Sequence, residues 1–231
     1  PWDTPARKPA AGFLDRRARD LDVLTVDAAR AFFGVDVSCA RCHDHPLVHD
    51  WTRDHYYGMA AFFARTAGGK GTITEKADGE ARFAGRDGKE RVAPLMFISG
   101  RVVEQPKGAG GGKPPFNRRE ALVRVALEER HFFARAFVNR VWEYFHGRGL
   151  VSPVDQMHSE NPASVPGLLD ALAADFASHG YDIRRLVAAV VLGRPYRLDS
   201  RWAGGGDVPG AGHFAAARLR PLSPRQFARS V

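Results

Sequence analysis

The chain has 231 residues, 44% of them hydrophobic, which is enough for one large domain or two small ones with their own cores. Its longest uninterrupted apolar run, residues 186–192, is far too short to cross a bilayer, so we predict no membrane-spanning segment. The net charge of +8, from 34 basic and 26 acidic residues, favours acidic partners, whether anionic polymers, acidic redox proteins or nucleic acid. The basic residues are scattered and no nucleic-acid-binding motif occurs, which argues against sequence-specific nucleic-acid binding.

Two short helices are predicted ahead of the first cysteine. Residues 13–21 form the first, and Thr25 is expected to cap the second, which covers residues 26–33 and ends at Gly34. Both cysteines follow on a turn-like segment that Pro46 interrupts. The sequence thus places the cysteines between helices.

Residues 51–64 have the apolar spacing of a third helix, and the character of the chain then changes. From about residue 70 to residue 103, short β-prone runs alternate with Asp-Gly turns, which predicts a small β meander. The stretch 104–116 is rich in glycine and proline and is predicted to be a linker.

The second half is predicted to be helical, with caps at Asn117 and Asp182 and a helix end at Gly147. The predicted helices cover residues 118–129, 132–146, 164–179 and 183–193. We therefore expect a mainly α fold of two helical lobes with the β meander between them. The predicted domains are residues 1–103 with the cysteine motif, the linker 104–116, and a helical partner domain over residues 117–231.

Cys39 and Cys42 are the chain's only cysteines, and His43 follows the second one directly. A C-x-x-C-H string offers two thiols to the vinyl groups of a haem and an imidazole to its iron. It predicts a covalent haem c site with His43 as an axial ligand. Three alternatives stay open: a zinc site completed by other histidines, a redox-active thiol pair, and a pair without a cofactor.

A longer string around this motif carries a family resemblance. Cys39-Ala-Arg-Cys-His-Asp-His-Pro46, followed by Trp51 and Tyr56-Tyr57-Gly58, resembles the first of two paired uncharacterised domains. Those domains follow a planctomycete-type cytochrome c domain in large exported proteins. Residues 137–142 (Phe-Val-Asn-Arg-Val-Trp) and 147–151 (Gly-Arg-Gly-Leu-Val) resemble the partner domain.

The resemblance spans about residues 20–231 and implies a periplasmic or otherwise extracytoplasmic location and a cytochrome-like role. It implies no substrate. Tyr144 and Phe145 stand where relatives often carry histidine, so it points to no axial ligand from that helix. The chain starts without methionine or a signal-peptide pattern and its last residues open another helix. We therefore interpret it as a segment of a longer protein, C-terminally truncated, and expect a signal peptide upstream.

The sequence does not determine the second axial ligand of the iron. The candidates are Met59, Met96, Met157 and His158. Methionine or histidine would suit electron transfer, whereas an open position would suit small-molecule binding or activation, so whether the chain is an enzyme stays open. Three residues are expected to act around the haem: Asp44 by orienting an imidazole, His45 by a hydrogen bond to a group next to the iron ligands, and Arg140 by pairing with a propionate.

These observations predict a c-type cytochrome-like protein that binds haem covalently and transfers electrons in an exported multidomain assembly. Its partner would be a redox protein or domain. Two other functions remain: a zinc-binding structural or interaction module with a basic surface, and a haem enzyme with an open coordination site.

Overall fold

The computed structural model describes residues 8–45, 48–69, 72–85, 87–106 and 116–230, and the strands in this part of the chain form only two-stranded antiparallel sheets. Its α-helices are α1 (Lys8–Arg17), α2 (Leu21–Ala28), α3 (Arg53–Phe63), α4 (Arg118–Glu129), α5 (His131–His146), α6 (Leu168–Ser178), α7 (Ile183–Leu192) and α8 (Pro224–Ser230). The prediction of a mainly α fold with a small β part is confirmed. None of the described helices is both long enough and apolar enough to span a membrane.

Within the described residues, the β part consists of three separate pairs of short antiparallel strands. The strands are β1 (Thr66–Gly69), β2 (Thr72–Glu75), β3 (Arg82–Ala84), β4 (Glu90–Val92), β5 (Leu95–Met96) and β6 (Val102–Val103). They pair as β1 with β2, β3 with β4, and β5 with β6. The predicted turn at Asp87-Gly88 lies between β3 and β4, and Gly88 has the positive φ of 74° that favours glycine.

By its contacts the chain divides into two compact units. The first is Pro1–Phe133 with His158–Glu160, and the second is Ala134–Met157 with Asn161–Val231. Helix α4, predicted as part of the second domain, belongs to the first unit by these contacts. Most of the predicted linker lies outside the described residues, so a domain boundary at 104–116 stays a prediction.

Helix α2 begins earlier than the sequence predicts. The Asp20 carboxylate accepts hydrogen bonds from the backbone N–H groups of Asp22 and Val23, both at 3.0 Å, and so caps the helix. Thr25, the predicted cap, lies inside α2 and its hydroxyl donates to the carbonyl of Leu21. The prediction of Thr25 as a cap is wrong because Asp20 satisfies the free N–H groups one turn earlier.

The first unit has a continuous core that positions the cysteine motif. Its largest fully buried side chains are Leu24, Val35, Val37, Tyr56, Met59, Phe62, Phe97 and Ile98. Helix α3 packs closely on β5, because a Cβ at Gly58 would lie 2.6 Å from the Cβ of Met96. Only glycine at this position allows that approach.

The second unit is built on α5, α6 and α7, which share a separate core around Val138, Leu169 and Leu186. Helix α5 ends at Gly147 with a φ of 74°, as predicted. Helix α6 begins at Leu168 rather than at residue 164, since Gly167 occupies its N-cap position with a φ of 75°.

Candidate functional site

Cys39 begins a single turn of 3-10 helix, Cys39–Arg41, that follows a buried strand-like segment, and Cys42 is the C-cap residue of this turn. The N–H groups of Cys42 and His43 both donate to the carbonyl of Cys39, at 3.3 and 3.4 Å. Ala40, between the cysteines, is fully buried, whereas Cys39 and Cys42 are exposed and free. The turn is therefore anchored by its alanine and leaves both thiols accessible.

His43 is exposed, and its hydrogen bond fixes which ring nitrogen is protonated. Its Nδ1 lies 2.8 Å from the backbone carbonyl oxygen of Asp44. A carbonyl can only accept, so Nδ1 carries the proton in the neutral ring and Nε2 keeps its lone pair. This is the state in which a histidine binds a metal ion through Nε2.

The segment after His43 is tied to the beginning of α3. The Asp44 carboxylate accepts a hydrogen bond of 3.0 Å from the N–H of Arg53, in the first turn of α3. His45 donates its N–H to the carbonyl of Trp51 at 2.9 Å, and its Nδ1 accepts from the N–H of Val48 at 3.1 Å. The predicted break at Pro46 lies outside the described residues. Both side chains thus hold the loop that carries the motif.

Three residues that the sequence analysis did not propose hold the other side of the turn. Asp22 of α2 pairs with Arg41 at 2.9 Å and accepts a hydrogen bond of 2.5 Å from the Tyr56 hydroxyl. The Tyr57 hydroxyl donates to the carbonyl of Arg41 at 3.1 Å. Burial and the Asp22 carboxylate raise the pKa of Tyr56, so its phenol stays protonated and donates.

The sequence indicates only some of the residues in this arrangement. Tyr56 and Tyr57 belong to the string that carries the family resemblance. Asp22 lies far from it in the chain and has no local signal, because its partners are defined by the packing of α2 against α3.

The four candidates for a second axial ligand lie in different environments. Met59 is fully buried in the core of the first unit, and Met96 is half-buried on β5. Met157 packs in the core of the second unit. His158 belongs by its contacts to the first unit.

The segment that contains His158 is joined to the chain beyond the cysteine motif. Ser159 donates from its backbone N–H and its hydroxyl to the two carboxylate oxygens of Asp50, at 2.7 and 2.8 Å. This bidentate contact brings residues 158–160 to the loop just after the motif. Arg140, the candidate partner of a propionate, lies half-buried on α5 in the second unit.

In the part of the chain that the structure describes, no group of three or more His, Cys, Asp or Glu side chains is arranged to hold a metal ion. A covalent haem makes a smaller demand on the protein. It takes two thiols for bonds to carbon and one imidazole for the iron, which already has four nitrogen ligands from the porphyrin.

Two family models match the chain. Residues 7–68 match the model described as PSCyt2: Protein of unknown function (DUF1549), and this segment includes the cysteine motif. Residues 118–225 match the model described as PSD1: Protein of unknown function (DUF1553). These are the paired, cytochrome c-associated families that the sequence resembles. No curated protein and no solved structure gives a significant match.

Proposed function

We propose that the first unit of this chain attaches a c-type haem through Cys39 and Cys42, with His43 as an axial ligand, and transfers electrons. The observation that carries the proposal is the hydrogen bond of 2.8 Å between Nδ1 of His43 and the Asp44 carbonyl. It leaves Nε2 with a lone pair, next in sequence to an exposed, free thiol.

The residues around the motif fit this role because they hold its turn and the following loop in place. The buried Ala40 and the bonds of Tyr57 and Asp22 to Arg41 hold the turn, so that the thiols need no large rearrangement to react. Asp44 fixes the following loop to α3, and His45 holds this loop through bonds to Trp51 and Val48. When bound, a haem would supply a one-electron couple.

The proposed setting is an exported multidomain assembly, which is what the family resemblance of the cysteine motif implies. The net charge of +8 favours an acidic redox partner, with an association rate that falls as the salt concentration rises. His158 is the axial candidate with the best support, since Ser159 is bound to Asp50 beyond the motif.

The decisive experiment is the absorption spectrum of the chain produced in a periplasm together with a cytochrome c maturation system. We expect a Soret band that stays with the protein after acid-acetone extraction. The variant Cys42→Ser should retain one thioether, so its pyridine haemochrome band moves to longer wavelength. The variant Ser38→Ala should behave like the parent protein.

Two results would contradict the proposal. One is a colourless protein that contains stoichiometric zinc, which would favour the zinc module. The other is haem loading that Cys42→Ser and Cys39→Ser leave unchanged. Carbon monoxide then separates a carrier from an enzyme: rapid binding to the ferrous form would indicate an open coordination position.

A further inference from the structure

A cavity of about 280 Å³ lies in the second unit and is independent of the cysteine motif. Its wall is formed by three aromatic rings, one histidine, two arginines and small apolar residues. They are Phe145, His146, Pro195, Tyr196, Phe214, Ala216, Ala217, Arg218 and Arg220. None of the described residues that line this cavity carries a carboxylate side chain, so the charged groups among them are all basic.

His146 is the buried polar group of the cavity, with only 8% of its surface exposed. Its Nδ1 lies 3.1 Å from the carbonyl of Trp142, and its ring stacks on the Trp142 indole with centroids 4.0 Å apart. The carbonyl accepts, so Nδ1 holds the proton and Nε2 is left as an acceptor. Among the described residues, this buried Nε2 has no hydrogen-bond partner.

An unpartnered acceptor in a buried setting is costly, which makes it a signal for a missing donor. Burial lowers the pKa of His146, and the charge of Arg220 lowers it further, so the ring is neutral near pH 7. Neutral histidine offers the lone pair that a hydroxyl or amine of a ligand can use.

The two arginines of the cavity wall differ in their contacts. Arg220 donates to the backbone carbonyl of Tyr144, near the carboxyl end of α5, and its side chain packs against Gly147. Arg218 is exposed and makes no ion pair or hydrogen bond with any described residue. Arg218 is thus available for an anion, and a guanidinium binds a carboxylate through two parallel hydrogen bonds.

We propose that this cavity binds a small aromatic carboxylate that carries a hydrogen-bond donor. Arg218 takes the carboxylate, the rings of Phe145, Tyr196 and Phe214 pack against the aromatic ring, and Nε2 of His146 accepts the donor. The aromatic wall is already in place: the His146 ring is edge-on to Phe214 at 5.7 Å and to Tyr196 at 6.2 Å between centroids.

Calorimetric titration of the full chain with 4-hydroxybenzoate tests the proposal. Benzoate lacks the donor and 4-hydroxybenzyl alcohol lacks the charge, so we expect each to bind at least about tenfold more weakly. Arg218→Gln should weaken 4-hydroxybenzoate binding by about tenfold or more. Arg225→Gln, an exposed arginine of α8 outside the cavity wall, should leave it unchanged.

The histidine has its own readout. His146→Phe keeps an aromatic ring on Trp142 and should abolish the advantage of 4-hydroxybenzoate over benzoate without weakening benzoate. If this variant does not fold, the ¹⁵N resonance of Nε2 in the parent protein serves instead, and should shift with 4-hydroxybenzoate and not with benzoate. Three results would overturn the proposal: no binding at millimolar 4-hydroxybenzoate, equal binding by Arg218→Gln, or displacement by equimolar inorganic phosphate.

Discussion

Hydrogen bonds with backbone groups indicate which ring nitrogen carries the proton in two neutral histidines near the motif. The carbonyl of Asp44 keeps the proton of His43 on Nδ1, whereas the N–H of Thr52 donates to Nδ1 of His55 at 3.3 Å and requires a lone pair there. A neutral His55 is thus part of the amino-terminal cap of α3, and a neutral His43 is the form that ligates a metal.

The cap at His55 predicts a pH-dependent stability. Burial lowers the pKa of His55 below its ordinary value of 6.5, against the opposing charges of Asp54, Asp50 and Asp44. The unfolded chain therefore takes up a proton before the folded chain does as the pH falls. The stabilising contribution is present above pH 6.5 and is lost as the pH drops from there towards the folded pKa.

Urea unfolding at pH 7 and pH 5 measures this effect. We expect the parent protein to lose unfolding free energy between the two values, and His55→Asn to lose less, since it has no titrating group at this position. His49→Asn, an exposed neighbour, should match the parent. Equal losses in all three proteins would show that His55 is not responsible.

Among the secondary-structure elements, α4 belongs with the first unit because a buried arginine connects it there. Arg118, 7% exposed, donates to the carbonyls of Ala61 at 3.0 Å and Gly79 at 2.9 Å, and to the amide oxygen of Gln105. One side chain thus joins α4 to the end of α3 and to the β part. Burial lowers the pKa of Arg118, yet the guanidinium stays charged at neutral pH.

We expect Arg118→Met to destabilise the protein by about 3 kcal/mol, because it removes the donor to the carbonyls of Ala61 and Gly79 and to the amide of Gln105. Arg124→Met, on the exposed face of the same helix, is the control and should change the stability by less than about 0.5 kcal/mol. Thermal and urea unfolding measure both. A cost for Arg118→Met no larger than for the control would refute the structural role of this arginine.

In the second unit, the Asn139 amide joins residues 137–142 to residues 147–151. Its Nδ2 donates to the carbonyl of Val151 at 2.8 Å and its Oδ1 accepts from the N–H of Val151 at 3.0 Å. Gly149 permits this approach, since a Cβ there would lie 2.9 Å from Nδ2 of Asn139. The side chain acts as a backbone partner for a segment that has no strand to pair with.

Asn139→Leu should cost about 3 kcal/mol of unfolding free energy, because both buried backbone groups of Val151 lose their partner. Glu143→Gln, one turn further along α5, provides a control with little expected effect. Denaturant unfolding checks both variants. Parent-like stability of Asn139→Leu would mean that the loop finds other partners.

At the scale of the whole molecule, the described residues form two hydrophobic cores, one around Tyr56, Phe62 and Phe97 and the other around Val138 and Leu169. Because each variant above removes bonds from one core, we expect their effects to be local. Amide hydrogen exchange should speed up mainly before residue 134 in Arg118→Met and mainly after it in Asn139→Leu. Equal acceleration throughout in either variant would show that the two units unfold together.

The sequence by itself determined the local features of this protein. The mainly α class, the caps at Asn117 and Asp182, and the end of α5 at Gly147 follow from signals that lie within a few residues of the feature. The same holds for Cys39, Cys42 and His43, which a single turn keeps together. Haem attachment at these residues and the second axial ligand remain predictions.

Only the tertiary structure decided which distant residues meet. Three features depend on residues that lie far apart in the chain and that no local sequence signal connects. They are the bond between Asp22 and Tyr56, the packing of α4 in the first unit and the cavity at His146. They arise when helices pack and buried polar groups must find partners or be left without one. Position along the chain determines which residues are neighbours within one turn, whereas packing determines which distant residues come into contact.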